Sequence, residues 1–394
     1  MLSLIGTSMQ NTALPLLAYR LSGRPLDLGL IGFASALPTF FLAIPGGVVV
    51  EHLDKRRAVI GAQVVMMLNA LVLAILTLRG VIETWHIVLF SLVLGIAIAF
   101  EIPARQSMLI ELVGRDALPN AIALQSTGFN LSRILGPALV APVLLTFPEN
   151  GEGGIFLINT ISFLSIIIGL FFVRTRYRSA IEPTPVALLP ELKEGARYLR
   201  RSAAVGLLIL TAGTFGLLAF PIIQQLPVVS QDLLRQAGDT KATVDARNSL
   251  LYGAQGAGAL IASFSLAMNS AARVSEGRLR AGQGAFIFAM VLLPFARLPA
   301  LSALLVAAMG WGAVTMMATM NTLIQLAVPD GLRGRIFGIY LWALQGTAPF
   351  GSLLVGWMTQ RWNLPVTTVI CGALCALVAA GIQRSRARSL SLGA

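Results

Sequence analysis

Long apolar runs, separated by short polar or basic breaks, organise this sequence from end to end. They read as helices over 1–20, 25–50, 58–79, 85–112, 120–146 and 154–173 and, after a polar segment, over 203–228, 248–269, 281–297, 299–328, 336–358 and 364–383. Crossing a bilayer takes about 20 apolar residues in helical form. The pattern therefore predicts an all-α integral membrane protein with twelve transmembrane helices. The polar segment 174–202 divides them into an N-terminal bundle, 1–173, and a C-terminal bundle, 203–394. Its Pro-rich start reads as a linker. Pro190 to Arg201 reads either as an amphipathic helix on the inner leaflet or as a basic tether. Helix 1 begins almost at Met1, which leaves no cytosolic lead-in and suggests a shortened or mis-started N-terminus.

The two halves resemble each other. Leu109-Ile110-Glu111-Leu112, with Asp116 and Leu118, returns as Leu323-Ile324-Gln325-Leu326, with Asp330 and Leu332. Each copy precedes a Gly/Pro-bearing helix, marked by Gly136-Pro137 in one and Pro349-Phe350-Gly351 in the other. A parallel repeat of six-helix bundles is an architecture of secondary transporters, whose substrate sites lie at the repeat interface.

Composition agrees with the pattern. Of 394 residues, 56% are hydrophobic and 12% charged, and the mean hydropathy is +0.80. Soluble chains carry about twice that charged fraction. The net charge of +12 is explained by placement. With both termini cytosolic, 20 of the 29 Lys and Arg fall on the cytosolic connections and tail, 8 fall on the opposite side, and Arg133 lies inside a helix. That is the positive-inside bias, so nucleic acid is not expected as a partner. Two Cys and two His are too few for a disulfide framework, a metal centre or a His-based triad. No GK[ST] phosphate loop is present to drive transport with ATP. The expected protein is a multi-pass carrier of a bacterial-type plasma membrane. It is expected to be a monomer and not an enzyme, without cofactor, with the lipid bilayer and a small-molecule substrate as its partners.

Polar residues inside apolar runs are the candidates for function, because polar groups in lipid must be satisfied. Gln10, Asn11 and Thr12 in helix 1 either line a substrate cavity or hydrogen-bond to a neighbouring helix. Gln125, Asn130, Gln224, Gln225, Asn321, Gln325 and Gln345 are weaker candidates of the same kind. Glu101 and Arg105 lie one turn apart in helix 4, and Arg133 lies inside helix 5. With the turn centred near residue 117, Glu101 and Arg133 are level, which predicts that they pair. The pair is either a static ion pair or a proton-sensitive one. Arg105, nearer the cytosolic end, is a gate candidate. Gly136, Pro137, Gly253, Gly256 and Gly258 mark close helix packing.

The connection between helices 2 and 3 reads Gly46-Gly47-Val48-Val49-Val50-Glu51-His52-Leu53-Asp54-Lys55-Arg56-Arg57. This resembles the signature loop of the major facilitator superfamily: a Gly, an acid four residues later, then a basic cluster. The phrases IGTSMQNTALPLLAYRL (5–21), GFASALP (32–38), EIPARQSMLIELVGRDALPNAIALQS (101–126), RILGPAL (133–139) and VPDGLRGRIFGIY (328–340) resemble its drug and siderophore exporter branch, which includes the enterobactin exporter. The sequence departs from the usual pattern in having Glu51 for Asp, His52 for Arg, Asp54 for a late Gly, and Glu101 where the branch commonly has Asp. The equivalent second-half loop, 270–280, shows no clear Gly-x-x-x-acid pattern. The resemblance implies two bundles rocking about a central site. It also implies a cytosolic gate built from Gly47, Glu51, Asp54, Lys55, Arg56 and Arg57, and export of a drug-like or siderophore-like molecule by proton antiport. Uptake or facilitated diffusion of a metabolite is the alternative. A non-transporting sensor or assembly protein ranks last.

Overall fold

The computed structural model describes residues 1–51, 53–147, 150–173, 197–199, 202–268 and 275–391. Most of the linker, residue 52 and the 270–274 part of the 270–280 loop lie outside them, as do the surroundings of Gly47 and the side chain of Glu51.

Helical runs follow the apolar pattern closely. We label them α1 (Leu2–Ser22), α2 (Pro25–Glu51), α3 (Lys55–Leu78), α4 (Thr84–Gly114), α5 (Asp116–Thr146) and α6 (Gly151–Phe172). The second half gives α7 (Ala203–Leu233), α8 (Lys241–Met268), α9 (Glu276–Leu292) and α10 (Pro299–Ala327). Then α11 runs as Asp330–Leu341, a π turn Trp342–Gly346 and Ala348–Trp362, and α12 covers Leu364–Ser391. No strand occurs among the described residues, and eight of the runs are long and apolar enough to cross a membrane.

The breaks have local causes. Between α4 and α5 the chain turns at Gly114, whose φ of 72° and ψ of 175° suit a residue without Cβ. The ladder of α7 is interrupted by a π turn at Phe215–Ala219, a 3₁₀ segment at Phe220–Gln225 and a second π turn at Val229–Leu233. Pro221 and Pro227 lie in this stretch and lack the N–H that a regular helix needs. Polar residues before 248 suggested a loop, yet α8 begins at Lys241. Its first turns pair their charges instead of exposing them.

The described residues form two compact units. One comprises Met1–Pro183 with Pro227–Gly253, and the other Thr184–Leu226 with Ala254–Ala394. The first contains α1–α6, the last turns of α7 and the first half of α8. Its core includes Leu14, Leu17, Leu73, Leu144 and Phe156. Small residues let its helices meet: a Cβ on Gly136 would fall 2.5 Å from the Ser8 side chain, and Pro137 is buried beside it. Gly253 has room, its nearest neighbour being Pro137 at 3.9 Å. In the second unit, Phe286 meets Phe215 and Phe220 edge-to-face with centroids 6.0 and 5.6 Å apart, joining α7 to α9. A Cβ on Gly258 would lie 1.8 Å from the Ala307 carbonyl oxygen, so α8 and α10 touch backbone to backbone there. Gly256, two residues earlier, is buried as well.

Candidate functional site

Four charged side chains meet inside the first unit. Arg20 lies in the last turn of α1, Glu152 in the first turn of α6, and Lys241 and Asp245 at the start of α8. The Arg20 guanidinium donates to both Glu152 Oε1 and Asp245 Oδ1. Lys241 Nζ lies 3.4 Å from Glu152 Oε2. Both acids are almost fully buried, 2% exposed for Glu152 and 1% for Asp245. Two cations and two anions make the cluster neutral, which is the condition for keeping charge away from water. Arg20 also stands at a helix C-terminus and Glu152 at a helix N-terminus, and each suits the local helix dipole. Asp245 Oδ2 is buried without a hydrogen-bond partner.

Neighbouring contacts extend this clasp. Tyr19 Oη donates to Asp232 Oδ2, and Gln231 Nε2 reaches the Leu16 carbonyl at 3.5 Å. Ser230 Oγ lies 3.3 Å from Asn248 Oδ1. In the α7–α8 connection, Arg247 Nη2 donates to Asp239 Oδ1 at 2.9 Å. The guanidinium and the Gln236 N–H hold the Asp239 carboxyl below the usual carboxylate range. Sequence reasoning missed this site. It counted Arg20 and Lys241 as connection charges and passed over Tyr19, Glu152, Asp232 and Asp245, because no spacing links positions 20, 152 and 245.

The intramembrane charges are arranged differently from the expectation. Glu101, 7% exposed, pairs with Arg105 on its own helix at 2.8 Å. Arg133 is half-buried, and no described residue bonds to it. The reason is register. The chain turns at Gly114, so Glu101 lies 13 residues before the turn and Arg133 19 after it. That offset separates them by about 9 Å along the hairpin, and Arg105, one turn away, takes the acid first.

The signature-loop residues act locally. Asp54 caps α3, accepting from the Arg57 N–H at 3.0 Å. Arg57 Nε is 3.9 Å from Asp54 and exposed. Arg56 donates to the Leu170 and Phe171 carbonyls at 2.7 and 2.9 Å and lies over the Phe171 ring. It therefore closes the C-terminus of α6. Lys55 is buried.

Among the polar candidates, Gln10 is buried and accepts from Asn159 Nδ2 at 2.7 Å, an α1–α6 hydrogen bond. Ser162 Oγ donates to Asn159 Oδ1 at 3.0 Å. Asn11 and Gln345 are exposed, while Gln125 and Asn130 are half-buried. Gln224 Oε1 is buried without a partner. Asn321 accepts from Gln325 on the same helix.

The family described as transmembrane secretion effector, of the major facilitator superfamily, matches residues 1–391. The MFS-type transporter YfiS of Bacillus subtilis is 25% identical, over 93% of this chain and 86% of its own length. The multidrug efflux pump Tap of Mycolicibacterium fortuitum is 23% identical, over 92% of this chain and 88% of its own. Among solved structures, a mutant of the nucleoside transporter NupG superposes with a TM-score of 0.75 over 97% of each chain, at 12% identity. This last likeness speaks for the fold alone.

Proposed function

We propose that this chain, which belongs to the transmembrane secretion effector family of the major facilitator superfamily, exports a small, partly hydrophobic molecule of drug or siderophore type by alternating access with proton antiport. Transport of the major facilitator kind is the premise, since family and relatives agree on it. The observation that carries the mechanism is the buried clasp of Arg20, Glu152, Lys241 and Asp245. It joins α1 and α6, from the first half of the sequence, to α8, from the second. By the Lys and Arg distribution these helix ends lie on the non-cytosolic side. Release of a substrate to that side requires α8 to part from α1 and α6, and the clasp sets the free energy of parting. A clasp of charges in place of an apolar seam can be hydrated once open, so both states are accessible.

Glu101 is the proton carrier in this reading. It is a buried carboxylate within a spanning helix, and its charge is held by Arg105. Protonation removes that charge and frees Arg105, which links proton occupancy to the conformation of α4. The Tap-like relatives favour export and a drug-sized substrate.

The test is accumulation of a panel of macrolides, lipophilic cationic dyes and siderophores in deletion and overexpression strains, with and without a proton uncoupler. The reading expects at least one compound to accumulate in the deletion strain and to be cleared by overexpression only without uncoupler. Uncoupler-insensitive clearance would remove antiport. Lower accumulation in the deletion strain than in its parent would reverse the direction.

A further inference from the structure

Transport leaves unused a groove on the second unit, where α9 meets α12. It encloses about 430 Å³, and its lining includes Arg280, Gln283, Ile287 and Val291 on α9 and Ala376 and Ala380 on α12. The α9 residues recur every three or four positions and form one stripe along the helix. Alanines on the α12 side keep the channel open. No acid lines it.

Two polar groups face this apolar channel. Arg280 Nε donates at 3.4 Å to the Glu276 carbonyl, and no described residue accepts from its two terminal nitrogens. Gln283 is 3% exposed, and its Nε2 is buried without a hydrogen-bond partner. A buried donor left unsatisfied is destabilising, so a ligand with an acceptor at that depth gains by meeting it. From Arg280 to Val291 the stripe spans roughly 16 Å along the helix. One leaflet of the hydrocarbon core is about 15 Å, half of the full thickness. Arg280 lies near the start of α9, the end that the Lys and Arg distribution assigns to the cytosolic side, where lipid headgroups reside.

We propose that this groove holds one anionic phospholipid. Its phosphate sits at Arg280, an ester carbonyl accepts from Gln283 Nε2, and one acyl chain lies along Ile287, Val291, Ala376 and Ala380. A cation at one end, a single donor one turn deeper and an apolar run of leaflet length follow the chemistry of such a lipid from headgroup to tail. The proposal holds whatever the carrier transports.

The experiment reconstitutes the full chain in nanodiscs of equal parts phosphatidylcholine and phosphatidylglycerol, then counts retained lipids by native mass spectrometry after release. Wild-type protein should keep one phosphatidylglycerol per chain. Arg280→Gln should weaken that retention about tenfold, the scale of one charge-assisted contact. Ala380→Trp, which fills the channel, should abolish it. Arg361→Gln, at the end of α11, should leave it unchanged. Equal retention of the two lipids, or undiminished retention in Arg280→Gln, would overturn the proposal. So would a dimer that disappears in Ala380→Trp, because the groove would then be a contact between copies. If Ala380→Trp does not fold, Gln283→Leu, which keeps the volume and removes the donor, decides: retention must fall several-fold, and unchanged retention overturns the lipid assignment.

Discussion

At the residue scale, Arg20 is the pivot, because one guanidinium holds two buried acids from different helices. Removing one member of a buried ion pair costs roughly 3–5 kcal/mol, since the other charge remains buried. Arg20→Gln strands Glu152 and Asp245 with Lys241 alone, so it should lower both folded yield and transport. Asp245→Asn is milder and should loosen the α8 end. The reporter is Ser230→Cys, at a fully buried site beside Asn248. A membrane-impermeant maleimide should label it faster in the Asp245→Asn background than in the parent. Equal rates would separate the clasp from opening. The native thiols, Cys371 and Cys375, are buried and give little background. Arg56→Ala should cost roughly 1.5–3 kcal/mol through the lost charged hydrogen bonds to the end of α6. Arg56→Lys should not restore the loss, because an ammonium lacks the fork that spans two carbonyls. Thermal melts in detergent check both. Residues such as Asp54 and Arg56 were legible as a cluster because they adjoin in sequence. The distant partners of Arg56 were not, since nothing local marks Leu170 as the carbonyl that it seeks.

At the element scale, apolar runs showed where helices lie, because lipid imposes one simple demand on every span. Irregular stretches stayed hidden. The π and 3₁₀ turns of α7 fall within an apolar run whose hydropathy does not change, and the first turns of α8 looked like a loop because Lys241, Asp245 and Arg247 are charged. Pairing satisfies them within the helix. Gly114 mattered most: moving the turn three residues from 117 to 114 doubled into a six-residue offset and separated Glu101 from Arg133. Packing yields a sharp contrast. Gly258→Ala should fail to give folded protein, whereas Gly284→Ala, with nothing within 4 Å of its added Cβ, should melt like the parent. In the α7–α8 connection, Asp239 titrates below its usual value of about 4. A depressed carboxylate stabilises above its unfolded pKa, and that contribution disappears as pH falls through the folded value. Asp239→Asn should therefore lower the melting temperature at pH 7, and the difference from the parent should shrink as pH falls through the depressed folded value.

For the whole molecule, the all-α membrane fold was readable because long apolar runs recur from one end of the sequence to the other. The clasp was unreadable because it joins residues from helices 1, 6 and 8, which only the folded chain brings together. Glu51 in the signature loop gives a prediction at this scale. Glu51→Gln should reduce export while leaving the protein in the membrane, as judged by uptake assays against immunoblots of membrane fractions. The central claim is that substrate and proton move in opposite directions through one carrier. Purified protein in proteoliposomes loaded with a pH-sensitive dye addresses it most directly, with a transported macrolide or dye supplied as the only gradient. The account predicts that substrate moving down its gradient drives protons the other way, and that Glu101→Gln abolishes this proton flux. Substrate movement without proton flux, or with protons moving in the same direction, would contradict it.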